Sequence, residues 1–315
     1  SEFLHSWSAA KITPLVAQRY SLGAQAADTP APWLNTASFP ITFEPGAFVP
    51  GILLDVLRYR SFIITSTARQ IQGQYQGSLF GVAWLFLGPL ALLVVHTVIF
   101  SNLLQNRLPG VNSAFSYSIY LCAGLLPWLY FSDTISRLTG TFVAQAGLIK
   151  KAQFPRICLP LIAIGASSFN FAVIASLFLG FLLISGNWPG IVLLAGLPAL
   201  CVQILLSLGL GVFLGVVNVY FRDVGHLVGV VFQFLFWLTP IVYPLNMLPP
   251  WAQAAIKTNP MTVLVEHYQS VILYARVPSA QAFEGLAWVA LLACLCLFLG
   301  FKIHRDLGGE MADEL

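Results

Sequence analysis

From Ile157 to Phe221 the chain carries no Asp, Glu, Lys or Arg. A helix rising about 1.5 Å per residue needs about 20 apolar residues to cross about 30 Å of hydrocarbon, so this run is too long for one crossing and suits a hairpin of two. Its strong interruption, Ser185-Gly186-Asn187-Trp188-Pro189-Gly190, supplies the turn, with Trp188 at interfacial depth. The same pattern along the whole chain predicts six spans, at about 79–103, 117–135, 159–185, 191–217, 227–243 and 283–301. An even number puts both termini on one side. Before the first span, Leu53, Val56, Leu57, Ile63, Ile64, Ala68, Ile71 and Tyr75 recur at near-helical spacing, with Arg58, Arg60, Arg69 and several Gln between them. Over 51–78 that pattern predicts an amphipathic helix lying in the membrane interface. Residues 1–50 are interrupted by Pro30, Pro32, Pro40, Pro45 and Pro50 and are expected to form a loosely ordered extension; 305–315 is a tail.

Basic residues orient the bundle. With the N-terminus inside, Arg58, Arg60, Arg69, Arg137, Lys150, Lys151, Arg156, Arg222, Lys302 and Arg305 are cytoplasmic, against Arg107, Lys257 and Arg276 outside. Two connections are too apolar for plain loops. The cytoplasmic stretch Arg137 to Cys158 is expected to be a short helix and a turn ended by Pro155, either docking a partner or lying on lipid. The outside stretch Pro244 to Ala282, with breaks at Pro249-Pro250 and Asn259-Pro260, is expected to dip back into the bilayer as a pair of short helices.

Composition agrees: 58% of residues are hydrophobic and 9% charged, mean hydropathy is +0.81, and soluble domains carry about 25% charge. The expected fold class is an all-α membrane protein. A net charge of +3 leaves no electrostatic footprint for nucleic acid. Cys122, Cys201, Cys294 and Cys296 stand in apolar runs and are expected to serve as small packing residues. The first residues lack a signal-peptide pattern, so insertion is expected to rest on the internal spans.

No HExxH, GxSxG or Gly-rich phosphate loop ending in Lys-Ser or Lys-Thr is present. The chain is therefore expected not to be an enzyme, to hold no cofactor or metal, and to draw any transport energy from a partner or an ion gradient. Ionisable residues within spans are sparse. A lone His96 suits hydrogen-bonded structure better than a proton relay, and Asp133, four residues before Arg137, suits an intrahelical ion pair. Glu266 fits either a gate or a solvated position. The aromatic clusters Trp84-Phe86, Trp128-Tyr130-Phe131 and Phe232-Phe234-Phe236-Trp237-Tyr243 fit belt and core packing, or a conduit whose flat faces stack on sugar rings.

Local strings carry a resemblance. They are Ser78-Leu79-Phe80-Gly81 with Trp84; Gly124-Leu125-Leu126-Pro127-Trp128 with Phe131; Leu148-Ile149-Lys150-Lys151 with Phe154-Pro155-Arg156 and Leu159-Pro160; Asn218-Val219-Tyr220-Phe221-Arg222-Asp223-Val224; Pro240-Ile241-Val242-Tyr243-Pro244; and Asn259-Pro260. In order and spacing they resemble the ABC-2 permease family, the membrane subunits of bacterial exporters of O-antigen, capsule and teichoic acid. The resemblance implies a homodimer in the bacterial inner membrane, termini cytoplasmic, bound to two ATPase subunits that hold ATP and Mg, with a lipid-linked polysaccharide passing between protomers. It implies ATPase coupling by Leu148, Ile149, Lys150, Lys151, Phe154, Pro155, Arg156, Arg222 and Asp223. It implies a channel beside Trp84, Phe86, Trp128, Tyr130, Phe131, Trp237 and Tyr243, headgroup contact at Arg58, Arg60 and Arg69, and periplasmic re-entrant gate helices with Glu266 and Tyr268. Where the family carries basic residues before Ser-x-x-Gly, this chain has Gln72, Gln74 and Gln76, and residues 1–50 have no counterpart. Efflux of small lipophiles is the alternative within the same fold. A glycan ligase or acyltransferase is the alternative from another class.

Overall fold

A computed structural model describes residues 56–75, 115–151, 156–307 and 311–314, with isolated positions between 83 and 95. All belong to one unit, Pro50–Leu315. The extension 1–50 and most of the expected first span, including Trp84 and His96, lie outside the described residues.

The described elements are helical throughout: α1 Arg60–Tyr75, α2 Ser116–Ala144, α3 Ala146–Lys151, α4 Cys158–Ile184, α5 Leu197–Tyr220 after a 3-10 turn at Gly190–Gly196, α6 Asp223–Trp237, α7 Pro250–Lys257, α8 Pro260–Ile272, α9 Ala280–Leu307 and α10 Met311–Glu314. The hairpin expected between 157 and 221 is present. Gly186 and Gly190 make its turn at φ 72° and 67°, conformations that cost a side-chain-bearing residue energy. Pro198, without an N–H, favours the tighter 3-10 winding just ahead of α5.

Two expected boundaries need correcting. The span predicted at 117–135 is a 29-residue helix continuing through Ala144. At about 43 Å it outreaches the hydrocarbon thickness. Asp133 and Arg137 do not end it, because they neutralise each other one turn apart. Much of the expected connection from Arg137 is thus the same helix, and only α3 is separate. The span predicted at 227–243 begins at Asp223 and stops at Trp237 after 15 residues, about 22 Å. Thr239-Pro240 breaks it: the residue before a proline leaves helical geometry, and the proline brings no N–H to continue the ladder.

Helix α5 is the axis of the bundle. A Cβ at Gly209 would lie 2.6 Å from the Cys296 carbonyl carbon, and one at Gly300 would lie 2.6 Å from the Gly209 oxygen, so α5 and α9 touch backbone to backbone. On its other side Gly215 admits α2, where a Cβ would sit 2.7 Å from the Leu138 oxygen. Helix α8 closes over α2, and α1 lies along α4, with Thr67 against Gly165.

Among the described residues, three segments are long and apolar enough to cross a membrane: Cys158–Ile184, Gly190–Tyr220 and Ala280–Leu307. Only 17% of the most apolar window of the first is buried and 22% of the third. Such outward surface, with Leu183, Ile184, Ile191, Leu291 and Leu295 exposed, is stable against lipid rather than water. The chain is a multi-pass membrane protein. Helix α2 escapes that criterion for a physical reason: at the centre of the bundle it carries Tyr, Trp and Ser in place of aliphatic residues.

Candidate functional site

The break after α6 interrupts the helical ladder from Thr239 until a 3-10 turn at Leu245–Met247, leaving carbonyls at Pro240, Val242 and Tyr243 that inside an apolar bundle must be satisfied by protein. Side chains of α2 and of α8 with its N-cap do so. Tyr117 donates its hydroxyl to the Val242 oxygen at 2.6 Å. Tyr120 reaches the Pro240 and Tyr243 oxygens, each at 3.0 Å. Gln269 Nε2 donates to the Pro240 oxygen at 3.1 Å. Asn259 binds Thr239 Oγ1 at 3.0 Å while its own Oδ1 caps α8 through the Met261 N–H. One level deeper, the fully buried Gln203 donates to the Pro127 oxygen at 2.7 Å and accepts the Tyr268 hydroxyl at 2.9 Å. His267, also buried, holds the Ala195 oxygen through Nε2 at 2.9 Å. The break is thus a built feature fixed by α2, α5 and α8. Asn259-Pro260 was legible as a break, whereas Pro240 falls inside the span predicted at 227–243. Tyr117, Tyr120, Gln203 and Gln269 were not singled out, although a Gln inside an uncharged run is a signal of that kind.

The expected gate residues lie on α8. Tyr268 is buried in the Gln203 network, and Glu266 is half-buried two residues before it. Burial raises the Glu266 carboxyl above the usual carboxylate range, and the charge of Lys257 opposes that rise.

The expected channel aromatics fall in two environments. Trp128 and Phe131 are buried against Phe232 and Phe236, with ring centroids 5.8 to 6.1 Å apart. Tyr130 lies on Phe171 and hydrogen-bonds Ser168. By contrast Trp237 is 61% exposed, on a face of α6 with Leu227, Val230, Val231 and Phe234. Tyr243 is half-buried and donates to the Trp237 oxygen at 2.7 Å. Phe86 is exposed.

At the opposite end of α6, Asn218 ties three elements. Its Nδ2 donates to the Thr139 oxygen of α2 at 3.0 Å, and its Oδ1 accepts the Gly225 N–H at 2.8 Å. The first turn of α6 is therefore capped from α5, since Arg222 at the cap position offers no side-chain bond. This turn leaves Phe221, Arg222 and Asp223 exposed. Nearby, Ile149 of α3 is buried with Phe142, Leu159, Val216, Val219 and Met311 in a small second core, so α3, the start of α4 and the end of α5 share one end of the bundle. Leu148 and Lys150 face outward from α3. Phe154 and Pro155 lie outside the described residues, Lys151 is described only as the last residue of α3, and Arg156 is half-buried at the turn before α4.

Two cavities flank α2. One, about 570 Å³, lies between α2, α4 and α6 and is lined by Tyr130, Asp133, Ser167, Asn170 and Phe232 among others. The other, about 510 Å³, lies between α1, the last turns of α2, α3 and the start of α4, and includes Arg69 and Arg137. Arg60, the first residue of α1, and Arg58 just before it are exposed.

The model of the ABC-2 type transporter family matches residues 62–273, from α1 to the end of α8. The chain belongs to the ABC-2 type transporter family. Relatives of this ABC-2 chain include the O-antigen export system permease protein RfbA of Myxococcus xanthus, 26% identical over 84% of this chain and 99% of the relative. RfbA of Klebsiella pneumoniae is 26% identical over 84% of this chain and 96% of its own length. The polysialic acid transport protein KpsM of Escherichia coli is 21% identical over 75% and 90%. ABC-2 permeases work with an ABC ATPase as a general property of the family. The strings that suggested the resemblance fall at structural joints: Pro127-Trp128 at the Gln203 contact, Asn218 at the α5–α6 cap, and Pro240 to Tyr243 at the break.

Proposed function

We propose that this permease is the membrane subunit of an ATP-driven exporter that carries a lipid-linked polysaccharide, O-antigen or a similar polymer, across the bacterial inner membrane through a channel between two copies of the chain. The observation that carries it is near full-length alignment with relatives named for O-antigen export, 99% of the Myxococcus protein being covered. Helix α6 supports it: too short to span alone, it presents Leu227, Val230, Val231, Phe234 and Trp237 outward, a stripe suited to a second copy or a sugar chain. The sequence holds no phosphate loop, so ATP and Mg belong in this reading to two partner ATPase subunits. These bind where α3 and the Phe221-Arg222-Asp223 turn meet, with Leu148, Lys150, Lys151, Phe154, Pro155 and Arg156 as the docking element. Both termini are cytoplasmic, and α7 and α8 form the periplasmic gate with Glu266 and Tyr268.

The test is to delete the gene in its host and compare surface glycan with lipid-linked glycan kept inside. Surface loss with build-up of full-length lipid-linked polymer is expected. Intact surface glycan would move the assignment to efflux of small lipophiles, and loss without internal polymer would move it to an assembly enzyme.

A further inference from the structure

Helix α3 is too short to hold itself. Its six residues, Ala146–Lys151, lie far below the about 12–15 at which an isolated helix becomes stable in water, and Gly147 weakens it further. Two of its amides, those of Leu148 and Ile149, donate to the Gln145 oxygen at 3.0 Å each. What keeps the helix in place is therefore packing, and among its described side chains Ile149 alone is buried. The other side of that contact comes from the tail. Met311 of α10 is fully buried and shares the small core with Ile149, Phe142, Leu159, Val216 and Val219, and α10 packs on both α3 and α5. The tail leaves from a fixed point: Tyr220 of α5 donates its hydroxyl to the Leu307 oxygen at 3.4 Å, and His304 stacks on Phe142 with ring centroids 5.4 Å apart. Beyond that point Met311, unbranched and suited to an irregular gap, completes the core. With Ile149 turned inward, Leu148 and Lys150 are turned outward.

We infer that the tail is a strap for the ATPase-coupling element, with Met311 the positioning residue that sets the seat and rotation of α3 through Ile149. The inference rests on the reading of α3 as part of the docking element. A short helix held by one buried side chain opens locally while the bundle stays closed, so its opening is governed by that contact. Without Met311, Ile149 faces a void or water, and α3 spends more of its time detached. Leu148 and Lys150 then lose their single orientation. A partner that needs them in that orientation binds only the seated fraction, and its apparent affinity falls in proportion. The tail need not touch the ATPase to do this, because it acts from the inner side of α3.

The experiment compares the full-length chain in lipid nanodiscs with Met311→Asp, Met311→Leu and a chain ended after Leu307. Hydrogen exchange over residues 145–151 is read by quench-flow mass spectrometry, and recovery of the ATPase with the permease is measured in the host. Exchange at Leu148 and Ile149 is expected to speed about tenfold or more in Met311→Asp and in the shortened chain. It should stay at the parental rate in Met311→Leu, with α8 unchanged in all three. ATPase recovery is expected to fall severalfold in the first two and to be restored by leucine. Unaltered exchange at α3 in the shortened chain would overturn the strap. Faster exchange across α8 as well as α3 in that chain would also overturn it, because the whole fold and not one helix would then have loosened. Faster exchange confined to α3 with parental ATPase recovery would overturn the positioning role. The strap is read on the purified chain, so its failure stays separate from that of the docking reading, which fails when Lys151→Glu with Phe154→Ala keeps parental surface glycan.

Discussion

Single side chains decide whether this bundle tolerates its own irregular backbone. Gln203 is the clearest case, because one amide serves the Pro127 carbonyl on α2 and the Tyr268 hydroxyl on α8. Gln203→Leu keeps the volume, removes a side-chain bond from the Pro127 carbonyl and leaves the buried Tyr268 hydroxyl without its partner, at about 1–3 kcal/mol for the hydroxyl. The variant is expected to lose several degrees of thermal midpoint in detergent, read by intrinsic fluorescence; an unchanged midpoint would mean that water or relaxation replaces the amide. Glu266 bears on pH. Its folded value is raised, mainly by burial, so the folded state holds the proton more tightly than the unfolded state. Stability is therefore expected to be greater at low pH and to fall as pH rises from the ordinary carboxylate range through the raised value. Glu266→Gln should be more stable than the parent at neutral pH and lack this slope. A midpoint that instead rises with pH across that window would refute the assignment.

The helices show where sequence patterning is informative and where it is blind. The turn at Ser185 to Gly190 was legible because Gly and Pro interrupt an uncharged run, and α7 and α8 start at the prolines that marked them. The ends of α2 and α6 were not. Charge at Asp133 and Arg137 imitates a membrane boundary, yet the two residues pair along one helix. Beyond Trp237 the apolar run continues, so composition conceals the break, and only Pro240 discloses it. Likewise the aromatic cluster at Trp128 carries no mark that separates an enclosed ring from the outward Trp237; that distinction arises from which neighbours close over it. Close contact between α5 and α9 gives the test at this scale. Gly209→Ala puts a methyl into the α9 backbone and is expected to cost about 1–3 kcal/mol. By contrast Gly229→Ala on α6 meets nothing within 4 Å and should be neutral or stabilising by up to about 1 kcal/mol. Equal midpoints for the two variants would show that α5 and α9 are not in backbone contact.

At the scale of the whole molecule, work done on ATP by the proposed partner would have to reach the break between α6 and α7. Helix α6 is the direct link. One end is capped by Asn218, which also holds α2, and the other runs into the Thr239 to Tyr243 segment gripped by Tyr117, Tyr120 and Gln269. On the proposed reading, a push on the exposed Phe221-Arg222-Asp223 turn or on α3 would be delivered along this short helix to the irregular stretch at its far end, with α2 as the reference. Two consequences separate this from simple packing. Lys151→Glu with Phe154→Ala changes the proposed docking element alone, so the protein should insert normally, measured by membrane fractionation, while surface glycan falls sharply and lipid-linked polymer accumulates. Unchanged surface glycan in that double variant would remove α3 and the segment after it from the coupling path. Asn218→Ala, in contrast, leaves the docking surface intact and loosens the joint. It should retain binding of the ATPase in co-purification while lowering export, a split that neither misfolding nor loss of docking produces.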